Sequence, residues 1–352
     1  MILKHGIYAA LGALFTIGAA SCQETRRPLE EEHTCELTFS LDDAATKATG
    51  IVSSNESRID HWAVFIFNSA NPAEYYRKTS VSGGSISLYV GAGKEYRAYA
   101  IVNYPLYGSA YFNPWEVSGE DDLTLWASDL SGNQVNSLVM FGSVELGAVS
   151  GNSTRAISVS RLVSKVGIQK ITRNFSDANQ ASRTFAIKRI YLTNVFRRSL
   201  FSRDYNSSEV VSDDELGYNA GGYHASGTVG ALDDLTADAS LSVSLSNGAS
   251  YTTAHYFYAF PNTLPAGTDP RGATWSPRHT RLVIEAQIGS GTYYYPVTIP
   301  TMARNNTYVI TEATIRNLGS LDPEEEIPGA IDVTFSTSNS QWEGNYTVTE
   351  QS

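Results

Sequence analysis

"CELTFSLDDAATKATGIVSS", residues 35–54, decides how the chain is read. Leu37, Phe39 and Leu41 alternate with Glu36, Thr38 and Ser40, the period of two that turns one face of a β-strand toward a core. Directly after them come Ala44, Ala45, Thr46, Lys47, Ala48, Thr49 and Gly50, small residues around one long cation. Nothing in that stretch can pack, and a lone Lys among small residues at an exposed tip suits a trypsin-like protease. A core strand stands immediately upstream of a cleavable loop.

Upstream, Lys4 precedes the apolar, small-residue-rich run "GIYAALGALFTIGAA", which ends in Ala19-Ala20-Ser21-Cys22. The run is too short to anchor in a bilayer and has the layout of a secretory signal over residues 1–21. Small residues directly before a Cys resemble the lipobox of bacterial lipoproteins, so Cys22 is the expected site of acylation and of attachment to the outer membrane. "QETRRPLEEEHT" follows, polar and charged, as a tether. Cys35 is the second and last cysteine. An exported chain with so few thiols relies on core burial rather than on disulfides.

The net charge of −11 argues against nucleic acid, whose phosphates demand clustered Lys and Arg. At 352 residues the chain is long enough for two domains. Downstream it is a succession of short strand patterns, among them "HWAVFIFN" (61–68), "SISLYVG" (85–91), "EYRAYAIVN" (95–103), "SLVMFGSVEL" (137–146), "TFAIKRIYLTNV" (184–195), "TRLVIEAQI" (280–288) and "NTYVITEATIRN" (306–317). Thr, Val, Ile, Tyr and Phe dominate them and Gly, Asn, Ser, Asp and Pro separate them. Helical signals are confined to possible single turns at 54–60 and 212–218. The run 155–171 is too long for one strand, so it divides into Arg155–Leu162, closing a first β-sandwich, and Ser164–Ile171, opening a second. The expected layout is all-β: sandwiches over 48–163 and 164–330, and a C-terminal extension over 331–352.

No constellation for catalysis emerges. His61, His224, His255 and His279 are isolated, without the spacing that sets two ligands on one helical face. No Gly-x-Ser-x-Gly elbow and no phosphate-binding glycine loop is present. The acidic stretches "SGEDD" (118–122) and "DPEEEIPG" (322–329) lack the regular spacing of a calcium loop and are expected to be solvated turns. The chain is expected to be no enzyme and to hold no cofactor or metal.

Several segments together resemble the type V fimbrillins, the lipoprotein pilus subunits of the Bacteroidales: "ELTFSLDDAATKATG", "ESRIDHWAVFIFN", "SVSRLVSKVGIQKI", "YFYAFPN", "YYYPVTIPTMARNNTYVITEATIRNLGSLDP" and the tail "IDVTFSTSNSQWEGNYTVT". The resemblance spans most of the chain. It implies two tandem transthyretin-like sandwiches, no catalysis, and assembly with identical or related subunits. It further implies that a surface protease cuts after the first strand, here between Lys47 and Ala48, where the family usually has Arg; Arg58 is the other candidate. Loss of the strand bearing Leu37, Phe39 and Leu41 would open a groove for a neighbour's C-terminal strand. Ile331, Val333 and Phe335, and again Tyr346 and Val348, have the alternation that such a donor needs, and Trp342 lies between them as an apolar plug.

A stalk subunit is the leading expectation, with a tip or anchor subunit of the same pilus as the alternative. A glycan-binding surface lipoprotein, using Trp115, Trp126 or Trp275, is a rival of a different class.

Overall fold

The computed structural model describes residues 34–43, 56, 58–81, 84–106, 112–125, 127–130, 133–134, 137–196, 198–204, 237–238, 241–263, 279–338 and 346–348. The chain begins with β1 (Thr34–Asp43), β2 (Trp62–Asn68), β3 (Tyr75–Ser80), β4 (Ile86–Gly91), β5 (Glu95–Val102), β6 (Ala127–Asp129), β7 (Met140–Ala148) and β8 (Ser153–Arg161). It continues with β9 (Ser164–Ile168), β10 (Ile171–Arg173), β11 (Phe185–Thr193), β12 (Arg198–Leu200), β13 (Ala237–Asp238), β14 (Val243–Ser244) and β15 (Ser250–Tyr251). The last strands are β16 (His255–Ala259), β17 (Arg281–Ile288), β18 (Gly291–Thr298), β19 (Thr307–Ile315), β20 (Ile331–Ser338) and β21 (Tyr346–Val348). Two short helices, α1 (Glu120–Leu125) and α2 (Ala178–Ala181), join them. The sequence pattern pointed to neither, because each is a single turn or little more, set by a local cap such as Asp177 accepting from the Gln180 N–H.

The first sheet runs β3-β2-β5-β7-β8-β1-β4. β7 and β8 meet only at Met140–Arg161 and Phe141–Ser160, so the sheet folds there and its two halves face each other. Between them lies a core built from alternate residues of each strand: Leu37 and Phe39, Trp62, Val64 and Ile66, Ile86, Leu88 and Val90, and Ile157 and Val159. Across the far seam the Lys78 ammonium donates to the Ser87 carbonyl at 2.7 Å. β2 is buried along its whole length. Its other face, Ala63, Phe65 and Phe67, packs under Phe112 and Val117, which is why "WAVFIFN" is apolar at every position rather than alternating.

The long run around 155–171 breaks between Arg161 and Ser164. β9 sits between β19, parallel to it, and β16, antiparallel, just as β1 sits between β8 and β4. A sheet β15-β10-β19-β20-β21 carrying β9 and β16 faces a second sheet β13-β11-β17-β18. Ile187, Ile190, Ile284, Ile310 and Ala313 fill the space between. The fold is therefore all-β with sandwich-like layering, as the strand patterns predict.

Candidate assembly site

β1 is an interior strand. Its register is antiparallel to β4 from Thr34–Gly91 to Phe39–Ile86, and parallel to β8 from Leu37–Ser153 to Asp43–Val159. Leu37, Thr38 and Phe39 are thus paired on both sides. Leu37 and Phe39 are fully buried, Cys35 nearly so, and Leu41 packs half-buried at the end of the same row. Two side-chain bonds fix the strand lengthwise: the Glu36 N–H donates to Asn152 Oδ1 at 2.7 Å, and the Thr38 and Ser87 hydroxyls meet at 2.7 Å. A strand placed in this way leaves a continuous slot if it departs, with two exposed ladder edges and a row of apolar walls.

The chain beyond the slot is held independently. Glu56 is only 2 % exposed, and its Oε1 takes the Lys165 ammonium at 2.7 Å and the Tyr258 hydroxyl at 2.6 Å. The Glu56 carbonyl accepts from Arg161 Nε at 3.0 Å, and Arg161 Nη1 reaches Asn305 Oδ1 at 3.4 Å. Burial pulls the Lys165 ammonium below the usual lysine value, although Glu56 opposes that shift. Burial, together with the Glu56 charge, pushes the Tyr258 phenol up, which keeps it a donor. Sequence reasoning placed Glu56 in a capped turn and gave Lys165 no role. Nothing local marks them, because the partners come from β9, β16 and the end of β8.

Arg58 and Asp60 are pinned as well. The Asn103 amide donates to the Arg58 carbonyl at 2.7 Å and to the Leu138 carbonyl at 3.1 Å, while its Oδ1 accepts from the Asp60 N–H at 2.9 Å. Asn103 does this from a left-handed conformation, φ 53°, which Asn tolerates better than most residues.

At the other end of the chain, β20 pairs with β19 from Ile315–Ile331 to Thr307–Ser338, and β21 pairs with β20 at Phe335–Val348, Ser336–Thr347 and Thr337–Tyr346. Ile331, Val333 and Phe335 point toward the core but stay half-buried. A groove of about 960 Å³ runs between β18 and β20, with Tyr295, Val297, Ile331, Val333 and Phe335 among its walls. β20 is thus part of its own subunit's sheet, and loosely packed there. Cys22, Lys47, Ala48, Trp342, Trp126, Trp275 and His224 lie outside the described residues.

Two of the remaining histidines find ordinary partners. His61 bonds the Tyr104 carbonyl at 2.7 Å and His255 the Tyr251 hydroxyl at 2.9 Å. Among the described residues no cluster of His, Cys, Asp and Glu is placed to hold a metal ion. Trp115 is 42 % exposed, but Arg77 lies over its ring at 4.8 Å. In the 118–122 stretch Asp122 accepts from the Ser118 and Gly119 N–H groups, which hold its carboxyl below the usual range. Glu324 departs from the solvated turn expected of "DPEEEIPG": it is buried, on Arg281 and Asn194.

No family model matches the chain, and no curated protein matches it. Solved structures do. A candidate cell adhesion protein of Bacteroides eggerthii superposes with a TM-score of 0.59 at 21 % identity, covering 88 % of this chain and 97 % of its own. A fimbrilin of Porphyromonas gingivalis gives 0.58 at 14 % identity, over 90 % and 99 %. The chain has the fimbrilin fold. A candidate cell adhesion protein of Parabacteroides distasonis shares that fold too, at 0.58 and 16 % identity over 86 % and 96 %. At these identities the likeness is one of fold, which agrees with the family resemblance in the sequence.

Proposed function

We propose that this protein is a stalk subunit of a cell-surface pilus that supports adhesion, and that removal of β1 is its assembly switch. The observation that carries this reading is the position of β1: interior, paired on both sides, and followed in the sequence by small residues around Lys47. Burial of Leu37 and Phe39 is worth roughly 1.5–3 kcal/mol each, and each ladder bond adds about 0.5–1.5 kcal/mol. Their loss is large against a domain stability on the order of 5–15 kcal/mol. The emptied slot must be refilled by another alternating strand, and in this reading a neighbour's C-terminal strand does so.

Cys22 carries the lipid that holds the precursor at the outer membrane, and a trypsin-like surface protease frees the subunit. Lys47 is the site we assign to it. Proteases act on extended backbone, and the Arg58 and Asp60 peptide groups are engaged by Asn103, so Arg58 is the poorer target. The buried Glu56 anchor keeps the new N-terminal segment on the subunit after the cut. The layout proposed is residues 1–21 signal, 22–47 tether and removable strand, 48–163 and 164–330 the two sandwiches, and 331–352 the extension.

N-terminal sequencing of protein sheared from cells tests the reading. A start at Ala48 is expected, and Lys47→Ala should leave full-length, lipid-bearing precursor and no fibres. Fibres made of subunits that still begin at Cys22 would overturn it.

A further inference from the structure

Of the two tryptophans among the described residues, Trp62 is sealed in the core and Trp115 stands exposed. The exposed indole is nonetheless held at several points. It sits in a short helical turn, Pro114–Glu116, whose cap Asn113 takes the Trp115 N–H on Oδ1 at 3.1 Å. Arg77, on β3, lies between two rings, 4.8 Å from the Trp115 centroid and 5.7 Å from that of Tyr75. Its Nη1 donates to the Val117 carbonyl at 2.7 Å and to the Pro114 carbonyl at 3.2 Å, which bracket the indole in the chain. Its Nε–H is buried with no acceptor among the described residues, so the guanidinium holds the turn and the ring at some cost to itself. A large aromatic surface fixed in this way loses little entropy when something stacks on it.

The surroundings narrow what that can be. Residues 98–154 contain no Lys, Arg or His, while Glu116, Glu120, Asp121 and Asp122 follow the ring directly, which disfavours an anionic ligand. A cation is disfavoured too, because the ring already carries the Arg77 guanidinium and a second cation would meet its charge across the indole. Glu120 and Asp122 are engaged already, the first by Arg97 and Tyr99, the second by Ser118 and Gly119. An acyl chain would pull the exposed Glu116 carboxylate, and the Asn113 amide that donates to it at 2.9 Å, out of water. A pyranose meets all of these conditions. Its C–H face is flat and neutral and stacks on an indole, and the hydroxyls around its edge exchange hydrogen bonds with a planar carboxylate and a planar amide.

We propose that Trp115 is a stacking platform for a neutral pyranose glycan, with Asn113 and Glu116 bonding its hydroxyls and Arg77 positioning the ring. The site gives the adhesion in the reading above a chemical target, and rests on that reading only for its display on a fibre. One ring and two polar groups bind weakly. A stalk repeats them once per subunit, and a repeating glycan can engage many copies together.

Native gel electrophoresis of the full chain through four neutral polysaccharides (galactomannan, xyloglucan, arabinogalactan and a mixed-linkage β-glucan) tests the site, with heparin as the anionic control. At least one of the four should retard the wild type, and heparin should not. Trp115→Ala, a surface change that should leave the melting temperature in place, should weaken the retardation about tenfold or more, and Trp115→Phe by less. Arg77→Met keeps the stem and drops the cation, and should weaken it about threefold. Retardation by none of the four, by heparin alone, or equally in Trp115→Ala overturns the site. Trypsin-cut Trp115→Ala chain should still form fibres by electron microscopy, so failure of the glycan site leaves the pilus reading standing. Loss of those fibres would make the indole a contact between subunits and overturn the glycan assignment.

Discussion

β1 and β20 share an alternating apolar face and a Thr-Phe-Ser run, and have very different surroundings. β1 is paired on both sides, its Leu37 and Phe39 sealed between two halves of a folded sheet. β20 is paired along one side by β19 and over three positions by β21, and its Ile331, Val333 and Phe335 border an open groove. The apolar row of β20 is half-buried where that of β1 is sealed, and hydrophobic stabilisation scales with the area buried.

The largest effect should come from removing β1 itself. Deleting residues 34–47 takes out two fully buried side chains and two ladders, at about 5 kcal/mol or more. Hydrogen exchange should then open β4 and β8 while leaving β17 and β19 protected. Protection unchanged in β4 and β8 would mean that β1 is a passenger.

Point changes make the contrast quantitative. Phe39→Ala should destabilise the uncut chain by about 3–5 kcal/mol. Phe335→Ala, made where the site is half open and can relax, should cost less than half as much by the same denaturant titration. Equal losses would erase the asymmetry between the two strands.

The pin at Glu56 should matter almost as much as Phe39. Glu56→Ala leaves the Lys165 ammonium buried without its carboxylate, a loss of about 3–5 kcal/mol, and adding Lys165→Met should recover most of it. In the cut chain the single variant should also release the new N-terminal segment to proteolysis, whereas wild type keeps it. A single variant as stable as wild type would show that the pair contributes only packing.

The smallest effect lies where β1 begins. Burial pushes the Glu74 carboxyl up, but Lys94, Asn68 and Tyr76 more than offset it, so it sits below the ordinary glutamate value. A depressed carboxylate stabilises the fold above the unfolded value of about 4.3, and that contribution disappears as pH falls through the folded value. Glu74→Gln should flatten the acid side of the stability profile by about 1 kcal/mol or less. Because the Tyr96 hydroxyl bonds the Gly91 carbonyl beside Thr34, acid should loosen this end of β1 before β20 responds.

What the sequence determined by itself was whatever a local period can encode. The alternation in Leu37, Phe39 and Leu41 and in Ile331, Val333 and Phe335, the density of β-branched and aromatic residues, and the break after Arg161 together specify an all-β chain with strands close to where they lie. The tertiary structure alone decided that β1 is an interior strand, that β2 is buried on both faces, that Asn103 holds Arg58, and that Glu56 is sealed against Lys165 and Tyr258. Each of these joins residues far apart in the chain, brought together by strand order and register. A pattern of period two says which face a residue takes and nothing about which strand lies next to it. The same limit explains β1 and β20: one alternating pattern forms a sealed strand in one sheet and a half-buried one in another, because burial belongs to the neighbours and not to the strand.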